Sequence, residues 1–100
     1  MVFDISKISG IGAYSSKTEK VGEFENERTL YFKDEKAFLV VNKNTIELRC
    51  DTELKKLLME KYESVMESRY FGRGGVEIVM AGQLDDAELE DLVRLSYNLS

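Results

Sequence analysis

The chain has 100 residues, one cysteine, no histidine, no proline and a net charge of −5. That length holds one core and implies a single domain over residues 1–100. The lone cysteine excludes an internal disulfide, and the missing histidine excludes Ser-His-Asp and Cys-His catalysis and every histidine-containing zinc site.

The charge is unevenly spread. Residues 1–50 carry eight basic and eight acidic side chains, residues 51–100 six and eleven. A duplex-binding domain normally shows a basic excess that displaces counterions from phosphate, so nucleic acid is disfavoured as a partner. Met1-Val2-Phe3-Asp4 shows no basic stretch leading into an apolar run, and the longest apolar run, Ala37 to Val41, is far too short for a bilayer. A soluble cytoplasmic protein that does not enter the membrane is expected.

In chain order, residues 4–9 predict a short helix, with Asp4 near its start, Ile5 and Ile8 on one face and Gly10 at its end. A loop through Ser16 follows, then a strand from Thr18 to Phe24. Thr29-Leu30-Tyr31-Phe32 is rich in strand formers, and Lys33-Asp34-Glu35-Lys36 makes a turn. Ala37 to Val41, continuously apolar, reads as a central strand. After the Asn42-Lys43-Asn44 turn, Thr45 to Cys50 alternates, with Ile46, Leu48 and Cys50 on one face and Glu47 and Arg49 on the other.

Asp51 is placed to cap a helix whose core face is Leu54, Leu57, Leu58 and Tyr62. Two further strands, Ser68 to Phe71 and Val76 to Met80, are expected around a turn at Gly72-Arg73-Gly74-Gly75. A last helix opens on a capping box, Asp85 with Glu88, and buries Leu89, Leu92, Val93 and Ser96. The fold class is α+β: a two-layer sandwich of one antiparallel sheet with the helices on one face.

Several segments carry a family resemblance. Leu48-Arg49-Cys50-Asp51-Thr52-Glu53-Leu54, Lys61-Tyr62, Gly82-Gln83-Leu84-Asp85-Asp86-Ala87-Glu88-Leu89 and Ser96-Tyr97-Asn98-Leu99 follow one another without a gap. Together they resemble the MmcQ/YjbR family over residues 48–99, and Lys36-Ala37-Phe38 extends the likeness more weakly toward Tyr31. The resemblance implies a secretion-chaperone-like α+β fold and a "double wing" DNA-binding label. In the second wing, the histidine and tryptophan of one large family branch are absent, and Arg69-Tyr70-Phe71-Gly72-Arg73-Gly74-Gly75-Val76 stands there instead.

Two surfaces are candidates for binding. In the wing, Arg69, Tyr70, Phe71 and Arg73 interleave cations with aromatics, a pattern suited to phosphate contacts and base stacking; the bland alternative is a hairpin whose aromatics pack on the core. On the sheet, Leu30 and Phe32 are expected inward and Tyr31 and Val79 outward, giving an apolar patch for a protein partner or self-association.

Cys50 precedes a helix N-terminus, where a thiol can be activated, but its alternation with Ile46 and Leu48 predicts a buried, inert group. The acidic run Asp85, Asp86, Glu88, Glu90, Asp91 lacks the spacing of a calcium loop and is accounted for by helix capping. No catalytic constellation can be assembled, so no enzyme activity, cofactor or metal is expected. The leading expectation is a non-enzymatic binding module for a protein partner; the alternative is DNA binding through Arg69 to Gly75.

Overall fold

The computed structural model describes residues 5–23, 26–80 and 82–100. Asp4 and Phe24, which the predicted first helix and first strand include, lie outside that range. Ile5–Lys7 forms only a 3-10 turn, yet Ile5 and Ile8 are both buried as their spacing requires. The strands are β1 (Ser15–Val21), β2 (Asn26–Lys33), β3 (Lys36–Val41), β4 (Thr45–Arg49), β5 (Val65–Ser68) and β6 (Gly72–Val79). Helix α1 (Thr52–Lys61) joins β4 to β5, and α2 (Asp86–Leu99) closes the chain.

The strands form one antiparallel sheet in the order β1-β2-β3-β4-β6-β5. Both helices pack on the same side of it, α2 over β3 and β4, α1 over β5 and β6. The α+β class and the two layers are therefore as the sequence predicts. At the β2–β3 turn Asp34 takes φ 54°, a left-handed conformation that Asp tolerates better than most residues.

Capping fixes both helix starts. The Asp51 carboxylate accepts from the Leu54 N–H at 2.8 Å. The Asp85 carboxylate accepts from the Glu88 N–H at 2.8 Å, while the Glu88 side chain reaches back to the Asp85 N–H. Asp85→Ala removes the acceptor and should cost ~1 kcal/mol, read as a lower denaturant midpoint at unchanged slope. A midpoint equal to wild type would show that the cap adds nothing.

Register decides which side chains share a face. Ser16, Tyr31, Leu39, Leu48, Val76 and Glu67 pair in one row across the sheet. Leu39, Leu48 and Val76 belong to the helix-side core, so Tyr31 points inward and packs against that core. The expected outward Tyr31 is thus corrected. A register shift between Tyr31 and Phe32 leaves Phe38 as an extra residue on β3. A bulged strand can turn two successive side chains to one face, and Phe38 and Leu39 are both fully buried in the helix-side core. Phe38 meets the Tyr97 ring edge-on at 5.0 Å.

The β3–β4 ladder ends at Leu39 and Leu48, and Ser96 on α2 bridges the next backbone groups of the two strands. Its Oγ donates to the Phe38 carbonyl at 2.5 Å and accepts from the Arg49 N–H at 2.7 Å. Tyr97 donates from its hydroxyl to the Ala13 carbonyl, which ties α2 to the segment before β1.

Helix α1 departs from expectation. Leu54, Leu58 and Tyr62 pack on the core, but Leu57 is 62% exposed and Lys55 is buried. The Lys55 ammonium donates to Glu67 at 2.8 Å and to the carbonyls of Arg73 and Gly72 at 3.2 and 3.4 Å. Its hydrogen bond and charge hold the Glu67 carboxyl below the usual range. The tether joins the Lys55 side of α1 to β5 and β6. No helix among the described residues is long and apolar enough to cross a membrane.

Candidate functional site

The face of the sheet that the helices leave open carries a second row of paired residues: Lys17, Leu30, Val40, Glu47, Glu77 and Met66. Like charges directly opposite one another destabilise a sheet, and Glu47 and Glu77 are each only 2% exposed. The fold tolerates them because every carboxylate oxygen has a donor. Glu47 Oε1 accepts from the Ser68 hydroxyl and the Tyr70 N–H, both at 2.9 Å, and Oε2 from the Asn42 amide at 2.9 Å. Glu77 accepts from Arg69 Nε at 3.0 Å and from Arg69 Nη2 and the Thr45 hydroxyl at 2.8 Å.

Burial alone would raise the Glu47 pKa. The hydrogen bonds from Asn42, the Tyr70 amide and Ser68, with the charge of Arg69, outweigh it and hold the carboxyl below its usual value. On Arg69, the hydrogen bond and charge of Glu77 raise the pKa further. The pair is one-sided: the Arg69 side chain is 77% exposed and that of Glu77 3%.

The chain reverses at Arg69-Tyr70-Phe71, between β5 and β6, and not at the glycines. Gly72 to Gly75 open β6 instead, which corrects the expected strand limits and the glycine-rich turn. Gly72 has φ +61°, and a side chain on Gly75 would sit 2.5 Å from the Leu48 carbonyl and 2.7 Å from the Phe71 Cβ. The missing Cβ at Gly75 thus lets Phe71 fold down against β4 and β6. Phe71 lies under the Arg49 guanidinium at 5.0 Å and meets Tyr70 edge-on at 4.9 Å. Tyr70 in turn lies under Arg28 at 5.4 Å, and Arg28 forms an ion pair with Glu19 on the neighbouring strand.

The four predicted wing residues are therefore placed differently from one another. Arg69, Tyr70 and Phe71 fold over the open face, joined to Glu77, Glu47 and the arginines of β2 and β4. Arg73 is exposed on β6 and adds its charge near Glu67. Val79 does stand on the open face, in register with Thr45, but half-buried beside a polar cluster, not in an apolar patch. Sequence reasoning missed Glu47, Glu77, Asn42, Thr45 and Arg28; a signal existed in Glu47 and Glu77, each an acid inside a β-rich run.

Cys50 lies elsewhere, on the helix side, 6% exposed. Burial and then the adjacent Asp51 charge push its thiol up to about 11. A disulfide reagent at pH 7 should label it only as fast as the protein opens; rapid labelling of native protein would refute its burial. Asp85 and Glu88 act as the capping box, and no group of three His, Cys, Asp or Glu among the described residues is placed to hold a metal ion.

Between the outer end of the β1–β2 hairpin, the β3–β4 turn and the Arg69-Tyr70 turn lies a cleft of about 790 Å³. Its walls include Asn26, Arg28, Asn42, Lys43, Asn44, Thr45, Arg69 and Tyr70, with Glu47 at its floor. It is mixed in charge and open to solvent. The model of the YjbR family matches residues 15–99, reaching further toward the N-terminus than the motifs quoted from the sequence. No curated protein and no solved structure gives a significant match.

Proposed function

The chain belongs to the YjbR family, and from that premise we propose that it is a non-enzymatic binding module that receives a protein partner on the open face of its sheet. The observation that carries this reading is the cleft itself, a concave surface lined by residues of β2 and β4 and by the Asn42–Asn44 and Arg69–Tyr70 turns. Binding is favoured over catalysis because Glu47 and Glu77 have all four oxygens engaged by internal donors, which leaves neither free to move a substrate's proton. A reduced, buried lone thiol suits a cytoplasmic setting.

A protein partner is favoured over DNA on charge. The wing supplies only two arginines, and the domain's charge of −5 opposes approach to a polyanion. Recovery of partners from lysate with and without nuclease tests this. A partner that persists after nuclease treatment and is lost on substitution of cleft residues is expected. The isolated domain should show no specific duplex binding at physiological salt. Submicromolar duplex binding that disappears in Arg69→Ala/Arg73→Ala would overturn the reading and favour the DNA alternative.

A further inference from the structure

We propose that the cleft recognises a single acidic side chain, Asp or Glu, within the partner's segment, and that the outer edge of the Arg69 guanidinium is the group that reads it. The inference rests on the protein-binding reading above and names the chemistry of that contact. A guanidinium carries five N–H groups and two edges, each able to grip a carboxylate with two parallel bonds. Glu77 takes the edge formed by Nε and Nη2. The edge formed by Nη1 and the remaining Nη2 hydrogen meets no acceptor among the described residues, and the side chain is 77% exposed at the cleft.

Position matters as much as vacancy. Arginine on a surface ordinarily loses side-chain freedom when it binds, and that loss weakens the contact. Here Glu77 has already fixed the guanidinium, and Thr45 fixes Glu77 by donating to the same Oε2. The outer edge is therefore held ready, and a carboxylate meeting it adds two charge-assisted bonds at little further ordering cost.

Local charge sets the class of ligand. The cations at the cleft are Arg28, Lys43 and Arg69, but Arg28 is paired with Glu19 and Arg69 with Glu77, while Glu27 and Glu47 line the same space. These groups leave no net positive charge, so a dianion is opposed more strongly than a single carboxylate. Recognition rests instead on the fork: a planar carboxylate matches the two parallel N–H groups of the outer Arg69 edge, and the exposed Lys43 lines the same cleft. A phosphate would bring a second charge toward Glu47. The volume of about 790 Å³ greatly exceeds one carboxylate, so the chain bearing it has room to continue on both sides, as a side chain within a segment requires and a C-terminus does not.

The test uses the full chain labelled with 15N and end-blocked hexapeptides of Gly and Ser carrying one central Glu or one central Gln. The companion probes are a peptide with a free C-terminus and no acid, and inorganic phosphate. At low salt the Glu peptide should shift the Arg69 Nε–H and Tyr70 N–H signals along a saturating curve, at least about tenfold more tightly than the Gln peptide. Arg69→Lys keeps the charge and removes the fork, and should weaken the Glu peptide about tenfold while leaving the Gln peptide unchanged. An unaltered thermal midpoint in that variant confirms that the fold is intact; if it falls, Lys43→Ala, which has no packing role, must weaken the Glu peptide measurably instead. Equal binding of Glu and Gln peptides, tighter binding of phosphate or of the free C-terminus, or full binding by Arg69→Lys at an unaltered midpoint would each overturn the inference. The two readings fail separately. Capture of a partner equally by wild type and an intact Arg69→Lys sinks the carboxylate contact and leaves the binding module, whereas a partner lost on nuclease treatment sinks the module.

Discussion

Leu92→Ala should lower the unfolding free energy by ~2–5 kcal/mol, while Leu57→Ala should change it by less than ~0.5 kcal/mol. The two leucines look alike in sequence, each at core spacing in an amphipathic helix. Leu92 is 7% exposed on α2 and belongs to the cluster formed with Leu39, Leu48, Ile78 and Val93. Shortening it leaves a cavity that a sheet on one side and a helix backbone on the other cannot collapse into. Leu57, 62% exposed on α1, touches water already, and its loss forfeits little burial. Denaturant midpoints at constant slope measure both. A large cost at Leu57 would mean that its face of α1 is covered in solution by a surface other than this sheet.

The contrast shows what kind of information the chain carries openly. Spacing identified α2 well, because its cap, its acidic first turn and its apolar face agree, and all lie within one short segment. In α1 the leucines at positions 54, 57 and 58 span a face wider than the sheet can cover. Which edge is buried depends on Lys55 meeting Glu67 and the carbonyls of β6, and these are partners that spacing within the helix cannot see.

Tyr31 failed for a related reason. In Thr29-Leu30-Tyr31-Phe32 both alternating sets are apolar, so the pattern cannot choose a face, and a register shift at Tyr31/Phe32 breaks the period that would have been extrapolated. The open-face site was the least legible part. Glu47 and Glu77 occupy alternate positions that solvent-facing acids also occupy, and their burial arises only once the Arg69–Phe71 turn folds back over them. The wing residues were identified as notable for their cations and aromatics. Their actual partners, Glu77, Arg28 and Arg49, come from three other strands.

Glu47→Ala should cost ~2–4 kcal/mol at pH 7, a large effect for a polar residue, and the cost should shrink as the solution is acidified. Removing the carboxylate strands the buried Ser68 hydroxyl and the Tyr70 N–H, and releases Asn42, which can still donate to Thr45 at 3.1 Å. Each buried donor left without an acceptor costs about 1–3 kcal/mol, and relief from the neighbouring Glu77 charge offsets part of the total. The pH dependence follows from the direction of the shift. Glu47 titrates lower in the folded protein than in the unfolded chain, so the unfolded state binds its proton first as pH falls. Its contribution is therefore fully present above the unfolded value, about 4.3, and is lost progressively as pH drops through the lower folded value. Glu47→Gln keeps the shape, cannot titrate, and presents an amide donor among three donors, so it should lie between alanine and wild type at pH 7. The gap between wild type and Glu47→Gln should narrow from pH 7 to pH 3. A gap of constant size over that range would mean that Glu47 carries no depressed pKa, and that the hydrogen bonds from Asn42, Ser68 and Tyr70 do not favour its charged form.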